Sequence, residues 1–519
     1  MFLCLLWTGP SSAQVTAFKQ AVAEAASSDA DLADFYRVRG YDPLWTGNDR
    51  MHEERRVALM RALTDVDLHG LSPARYNMAA LRQQMETART TRDLGLVEVA
   101  LSKAFLQYAR DVQTGMLVPS RIDGGIVRQV SYRDRAQYLT DLADTETPRA
   151  FIQSLPPASA QYRALMKEKL RLEGLLEQGG WGPTVALSSV KPGETGAGVV
   201  ALRNRLINMG YMRRSASRTY DSDMQDAIRR FQFDNGLAED GVAGQGTINE
   251  INVSVQQRLK SVIVAMERER WLNMDLGDRH ILVNLTDFTA KIVDNGRVTF
   301  RTRSVIGKNT SDRRTPEFSD VMEFMVINPS WYVPRSIVTK EYLPMLRNNP
   351  NAVSHIEITD SRGRRVNRAN ANFSQYSARN FPYSMRQPPS KQNALGLVKF
   401  MFPNKYNIYL HDTPSKSLFD REVRAFSHGC IRLADPFDFA YALLSLQTDD
   451  PKGEFHRVLN SGRETKVTLD QPVPVHLIYR TALVDEKGRA EYRRDVYGRD
   501  AKIWKALENA GVTLAAVQG

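Results

Sequence analysis

The feature that most constrains this chain is a change of hydrophobic period near His280. Up to Leu272 the apolar residues recur every three to four positions, the spacing of one helix face. From His280 the stretch "HILVNLTDFTAKIVDNGRVTFRTRSVIG" alternates every second residue, and Asp294-Asn295-Gly296 reads as a tight hairpin turn. A helical front followed by a strand-rich back predicts an α+β chain with separate cores. A chain of 519 residues is in any case too long for one core, so about two to four domains are expected.

Residues 17–194 read as a helical domain. Leu94–Met116, for instance, carries Val97, Leu101, Phe105 and Leu106 on one face. Its acids and bases alternate as on solvated helix faces, and no chemical motif stands among them. Residues 195–253 read as a small module of three helices. "VVALRNRLINMGYM" places Val199, Leu202 and Leu206 on one side and stops at Gly210. "YDSDMQDAIRRFQFDNGL" offers Asp221 or Ser222 as the cap and Met224, Ile228 and Phe231 as the stripe. A glycine-rich turn and a third short helix follow in "EDGVAGQGTINEIN". Residues 254–277 read as a linking helix with Val255, Leu259, Val262, Ile263 and Met266 inward.

Further strands are expected at "VMEFMVIN", "LVKFMFP", "NIYLHD" and "VPVHLIYRTALVD", and a final helix near "DAKIWKALENAG". The polar stretch 334–389 is too long for an ordinary loop and reads as a subdomain or lid. The net charge is +11, from 70 Lys+Arg against 59 Asp+Glu, which favours anionic partners. The basic residues are scattered and no nucleic-acid recognition motif accompanies them, so nucleic acid is the weakest partner reading.

The chain has two cysteines. Cys4 lies in the apolar start "MFLCLLWTGPSSAQ", which is similar to the tail of a secretory signal; residues 1–16 are read as a signal or anchor remnant, with a frayed apolar terminus as the alternative. Cys430 stands in "FSHGCIRL". One cysteine cannot build a Cys-rich zinc site, and no CxxC pair is present. A nucleophilic thiol needs a base, and eight histidines are available. His428 is near in sequence, while His411 closes a strand in "NIYLHDTP". On spacing alone both remain open.

The whole pattern resembles the L,D-transpeptidase catalytic domain. It is carried by "IYLHDTP", fifteen residues between His411 and Ser427, then "SHGCIRL", with "TPEFSDVMEFMVINPSWYVPRSI" and "RQPPSKQNALGLVKFMFPNKYNIYLHDTP" upstream. The resemblance covers residues 278–485, leaving 486–519 as a C-terminal tail and helix. Residues 195–253 resemble the three-helix peptidoglycan-binding domain through the LR-RL-GY opening, AIRRFQ and DGVAGQGT. The layout as a whole is similar to the large multidomain Gram-negative enzymes of this type.

The resemblance implies a mostly β catalytic sandwich with a capping subdomain at 334–389, and no cofactor or metal. It implies Cys430 as nucleophile and His411 as general base and acid, oriented by a backbone carbonyl rather than by Asp412. The Cys430 N–H, with Gly429, is the expected oxyanion donor. Gly429, His428 and Tyr409 shape the site, with a packed aromatic as the alternative for Tyr409. Arg432 is a candidate for a substrate carboxylate or for a structural ion pair. Trp331 either lines the groove or packs in a core, and Ser427 is a candidate substrate-binding residue or a turn hydroxyl. The implied reaction is acyl transfer from a tetrapeptide stem with release of D-Ala, giving 3→3 cross-links. The alternatives are L,D-carboxypeptidase action, attachment of a protein to peptidoglycan, and a catalytically dead cell-wall-binding scaffold. The implied partners are peptidoglycan stems and carbapenems as covalent inhibitors, with an N-terminal membrane anchor open, and the implied location is the periplasm.

Overall fold

A computed structural model describes residues 12–514. The apolar stretch with Cys4 lies outside them. The chain divides into two compact units. One holds the residues up to Gly124, Arg128–Asp275 and the segment from Arg480 onward; the other holds Gly125–Val127 and Leu276–Tyr479.

The first unit is helical, as the period predicts. Its longest helix, Thr91–Thr114, starts at a capping box in which Thr90 and Asp93 satisfy each other's backbone. Val97, Leu101, Phe105 and Leu106 are all buried. The segment "HGLSPARY", which reads as a loop, contains part of one single-turn 3-10 helix and all of another, Val66–His69 and Pro73–Tyr76. The small module forms helices Ala197–Asn208, Ser222–Asp234 and Gln245–Ile251. Asp221, rather than Ser222, caps the second through Met224 N–H. Ile228 and Phe231 are fully buried in the module's core with Val199, Leu202, Leu206 and Met224. Gln232 holds the glycine-rich turn by accepting from Gly241 N–H at 2.9 Å and donating to Asp240. The helix Val255–Trp271 buries its whole predicted stripe. The C-terminal hairpin, Ala482–Val484 with Ala490–Tyr492, and the helix Arg499–Asn509 belong to this unit.

The second unit is built on one mixed sheet. Its strands are β1 (Arg279–Asn284), β2 (Thr289–Asp294), β3 (Arg297–Gly307), β4 (Ser319–Ile327), β8 (Val398–Met401), β9 (Leu410–His411), β10 (Ala425–Ser427), β11 (Ile431–Leu433) and β12 (Thr465–Ile478), with β5 (Trp331–Tyr332), β6 (Glu357–Thr359) and β7 (Ser384–Gln387) set apart. The order is β10-β3-β11-β9-β8-β4-β12-β1-β2, and β2 also pairs with β3. The sheet therefore doubles over on itself: β3 pairs with β2 along most of its length and with β11 at Ser304 and Val305. The turn between β2 and β3 puts Asn295 and Gly296 at φ 50° and 77°, the left-handed pair that a two-residue hairpin requires.

Residues 334–389 and their flanks form a small subdomain. Its three strands run β5-β7-β6, and Ile337, Leu343, Leu346, Ile358, Phe373 and Met385 fill its core. The composition of this stretch is polar, yet these spaced apolar residues suffice for a core of its own.

Candidate active site

The site is assembled by strand register. β9 pairs with β8 so that His411 lies opposite Lys399, and with β11 so that it lies opposite Arg432. Lys399, His411 and Arg432 thus form one rung across three strands. The parallel pairing of β9 with β11 continues, with Ile431 N–H donating to Tyr409 C=O at 3.0 Å, and this sets Cys430 beside Tyr409. Because side chains alternate along a strand, Tyr409, His411, Cys430 and Arg432 share one face, and Cys430 is the diagonal neighbour of His411.

His411 is 4% exposed. Its Nδ1 donates to the backbone carbonyl of Asp412 at 2.5 Å, which leaves Nε2 as the basic nitrogen. The Asp412 carboxylate is engaged elsewhere, accepting from Leu397 N–H at 2.9 Å and Lys416 Nζ at 2.7 Å. Gly396, at φ 63°, lies against this carboxylate; a Cβ there would come within 2.4 Å of it. A backbone carbonyl therefore orients the histidine, as the resemblance implies. Burial, with Arg432 close by, lowers the imidazole to about 3. Cys430 is partly exposed. Burial of its thiol raises it to about 11, against hydrogen bonds from Tyr409 and the charges of Arg432 and Lys399. At neutral pH the pair is a thiol and a neutral imidazole.

Gly429 adopts φ 121°, a conformation closed to residues with a side chain, and a Cβ there would meet Ile408 at 3.2 Å. Its carbonyl accepts from Thr315 Oγ1 at 2.7 Å, and its N–H donates to Ser427 Oγ. Ser427 Oγ in turn donates to Cys430 C=O at 2.5 Å. Ser427 is thus a turn hydroxyl, and the Gly429 N–H is engaged, so Gly429 is not free to serve as the second oxyanion donor. The Cys430 N–H meets no acceptor among the described residues. Trp331 packs against the core of the small subdomain, edge-on to Tyr342.

His428 faces that subdomain. Its Nε2 pairs with Glu341 Oε1 at 2.7 Å, and Arg313 Nη2 donates to the same oxygen at 2.6 Å. Glu341 sits in a single π-helical turn, Val338–Tyr342. Sequence reasoning missed Glu341, Arg313, Thr315 and Lys399. For Lys399 a signal existed: it is the one charged residue in the apolar run "LVKFMFP". The others lie far from the motif and carry no local signature.

Residues 278–467 match the "L,D-transpeptidase catalytic domain" family, residues 195–251 the "Putative peptidoglycan binding domain" family, and residues 30–168 the "Scaffold domain" family. A curated relative from Haemophilus influenzae, named "Putative L,D-transpeptidase", is 32% identical over 225 residues, which is 43% of this chain and 45% of the relative. The match therefore spans less than half of that relative's length. Solved L,D-transpeptidases from Xylanimonas cellulosilytica and Stackebrandtia nassauensis are similar at 16% and 14% identity, with TM-scores of 0.18 and 0.21. Each covers 57% of this chain, and 100% and 97% of those chains respectively. With its helical front, three-helix module and mostly β second unit, this chain is similar to the L,D-transpeptidase catalytic-domain family over residues 278–467 and to the peptidoglycan-binding family over residues 195–251.

Proposed function

We propose that the chain is a cysteine L,D-transpeptidase that forms 3→3 cross-links in peptidoglycan. The observation that carries this reading is the shared sheet face of Cys430 and His411, with the imidazole tautomer set by the Asp412 carbonyl. His411 Nε2 takes the thiol proton as Cys430 Sγ attacks the carbonyl carbon of the third stem residue. The Cys430 N–H supports the developing oxyanion. The C–N bond breaks, the imidazolium returns its proton to the amine of the departing D-Ala, and a thioester remains. The side-chain amine of a second stem then gives up its proton to His411 and attacks the thioester. The C–S bond breaks, and the sulfur recovers the proton.

The depressed imidazole and raised thiol suit this order, because no thiolate is held in wait and proton transfer accompanies attack. The small subdomain acts as a lid that favours the amine over water. Work on peptidoglycan places the enzyme outside the cytoplasm, in the periplasm, and a carbapenem would acylate the same sulfur.

Purified protein with disaccharide-tetrapeptide tests the reading. The expected product is a 3→3 dimer with release of D-Ala, absent in Cys430→Ala. Tripeptide alone would make the enzyme a carboxypeptidase. No product, with sacculus binding retained, would reduce it to a scaffold. Intact mass after carbapenem treatment should show one adduct on Cys430.

A further inference from the structure

The fully buried cations of the helical core have acceptors, although the half-buried Arg39 meets only the Phe35 ring among the described residues. Arg270 meets Glu267 at 2.6 Å, Arg258 meets Glu250 at 2.7 Å, and Arg203 meets Asp221 at 2.8 Å. Arg55 and Arg424, which lack a bonded carboxylate, are tied to backbone carbonyls instead. The catalytic face departs from this. Lys399 and Arg432 are half-buried, and neither side chain makes a hydrogen bond or ion pair among the described residues. Arg432 Nε is buried with no partner at all. Glu464 is the carboxylate that Lys399 feels, but Glu464 accepts from Ser330 N–H. Two unpaired cations at this depth are costly unless an anion joins them. The Cys430 sulfur is not that anion in the free enzyme, since burial keeps it a thiol.

The rung gives the geometry. Lys399 and Arg432 flank His411 on either side. In the reaction proposed above, His411 must protonate the leaving nitrogen. The carboxylate of the departing residue is one carbon beyond that nitrogen, so it falls beside His411, between the two cations. We propose that Lys399 and Arg432 together form a carboxylate subsite that reads the free C-terminus of the acyl donor. The pair then selects stems whose scissile bond is the last one, and discriminates against stems extended or capped at that end. This rests on the transpeptidase reading and adds the determinant of donor choice. Lys399 and Arg432 are in this sense specificity residues, while His411 and Cys430 carry the chemistry.

The test compares a tetrapeptide donor ending in a free carboxylate with the same donor ending in an amide, following D-alanine or D-alaninamide release. Wild type should prefer the acid by at least about tenfold in kcat/KM, the scale of one charge-assisted hydrogen bond. Lys399→Met and Arg432→Met should each remove most of that preference, chiefly through KM, with the loss on the acid exceeding any loss on the amide. Lys399→Arg should keep it. Equal losses on both donors would overturn the subsite and leave the cations a role common to both, such as supporting the oxyanion. A second measurement needs no stem peptide: the ratio of Cys430 alkylation by iodoacetate to that by iodoacetamide, read by peptide mass. The ratio should fall severalfold in both methionine variants and hold in Lys399→Arg; an unchanged ratio overturns the subsite. Release from neither donor by wild type, with the alkylation ratio still responding to the variants, would sink the transpeptidase reading while upholding an anion site beside Cys430.

Discussion

The core of the helical unit and the face around Cys430 treat buried charge differently. In the helical unit Arg270 is fully buried, and Glu267, the His69 carbonyl and the Tyr162 hydroxyl take up its guanidinium. Glu98, also fully buried, accepts from Leu44, Trp45 and Thr46 backbone N–H groups and from the Tyr36 hydroxyl. Arg270 and Glu98 are consumed in holding the fold. On the face around Cys430 the Lys399 and Arg432 side chains and the Cys430 N–H have no such partner among the described residues. A charge satisfied internally is structural, whereas one left without a partner beside the proposed nucleophile is available to a substrate.

The largest expected effect separates chemistry from fold. Cys430→Ala should reduce D-Ala release at least about a thousandfold, the scale on which losing a nucleophile acts, with the thermal midpoint nearly unchanged. A residual rate near wild type would remove Cys430 from the mechanism.

The next pair of substitutions tests the contrast itself. Arg270→Met leaves Glu267 buried beside Trp271 Nε1 without its cation. It should destabilise the helical unit by about 3–5 kcal/mol, as broken buried pairs do. Arg432→Met leaves no acceptor stranded and removes an unpaired buried charge, so it should cost under about 1 kcal/mol or stabilise. Urea unfolding of both variants checks this, and equal losses would erase the distinction between the units.

Acid unfolding sharpens the comparison through one histidine in each unit. Burial, aided by Arg270, lowers His69 to about 4, and burial, aided by Arg432, lowers His411 to about 3. Both ionise more readily in the unfolded chain, near pH 6.5. Their effect is therefore absent above that pH, and stability falls as pH drops from about 6.5 through 4 and 3, by on the order of a few kcal/mol for each group. His69→Gln should blunt the acid loss in the helical unit and His411→Gln that in the catalytic unit, read by tryptophan fluorescence and by hydrogen exchange of each unit's amides. An acid limb that neither substitution moves would assign it to carboxylates.

The fold and the site were legible to different degrees. Period alone separated the helical front from the strands, and the stripe from Val255 to Met266 lies buried as its spacing predicts. The motif gave Cys430 and His411 because their chemistry requires fixed residue types near fixed turns. It did not give Lys399 or Glu341, because the register that sets Lys399 opposite His411 and the π-helical turn that carries Glu341 arise from pairing across distant segments. Arg432 was visible, but whether it had an ion-pair partner depended on its surroundings in three dimensions. Trp331 was open between groove and core for the same reason.

The smallest expected effect concerns Glu341, a carboxylate through which the small subdomain grips the motif. Its Oε1 takes hydrogen bonds from His428, two residues before Cys430, and from Arg313. The Arg313 carbonyl lies 3.7 Å from where a Gly429 Cβ would be, so the grip reaches the Cys430 turn from two sides. The neighbouring Lys340–Asp312 pair is exposed and adds little. Glu341→Gln keeps the size and one acceptor but removes the charge, weakening the tie by about 1–2 kcal/mol. If the tie holds the lid closed over the thioester, the ratio of tripeptide to 3→3 dimer should rise by roughly threefold to tenfold on that energy scale. Amides of residues 334–389 should exchange faster in step. Faster exchange with an unchanged product ratio would show that the lid moves without governing which nucleophile reaches the acyl-enzyme.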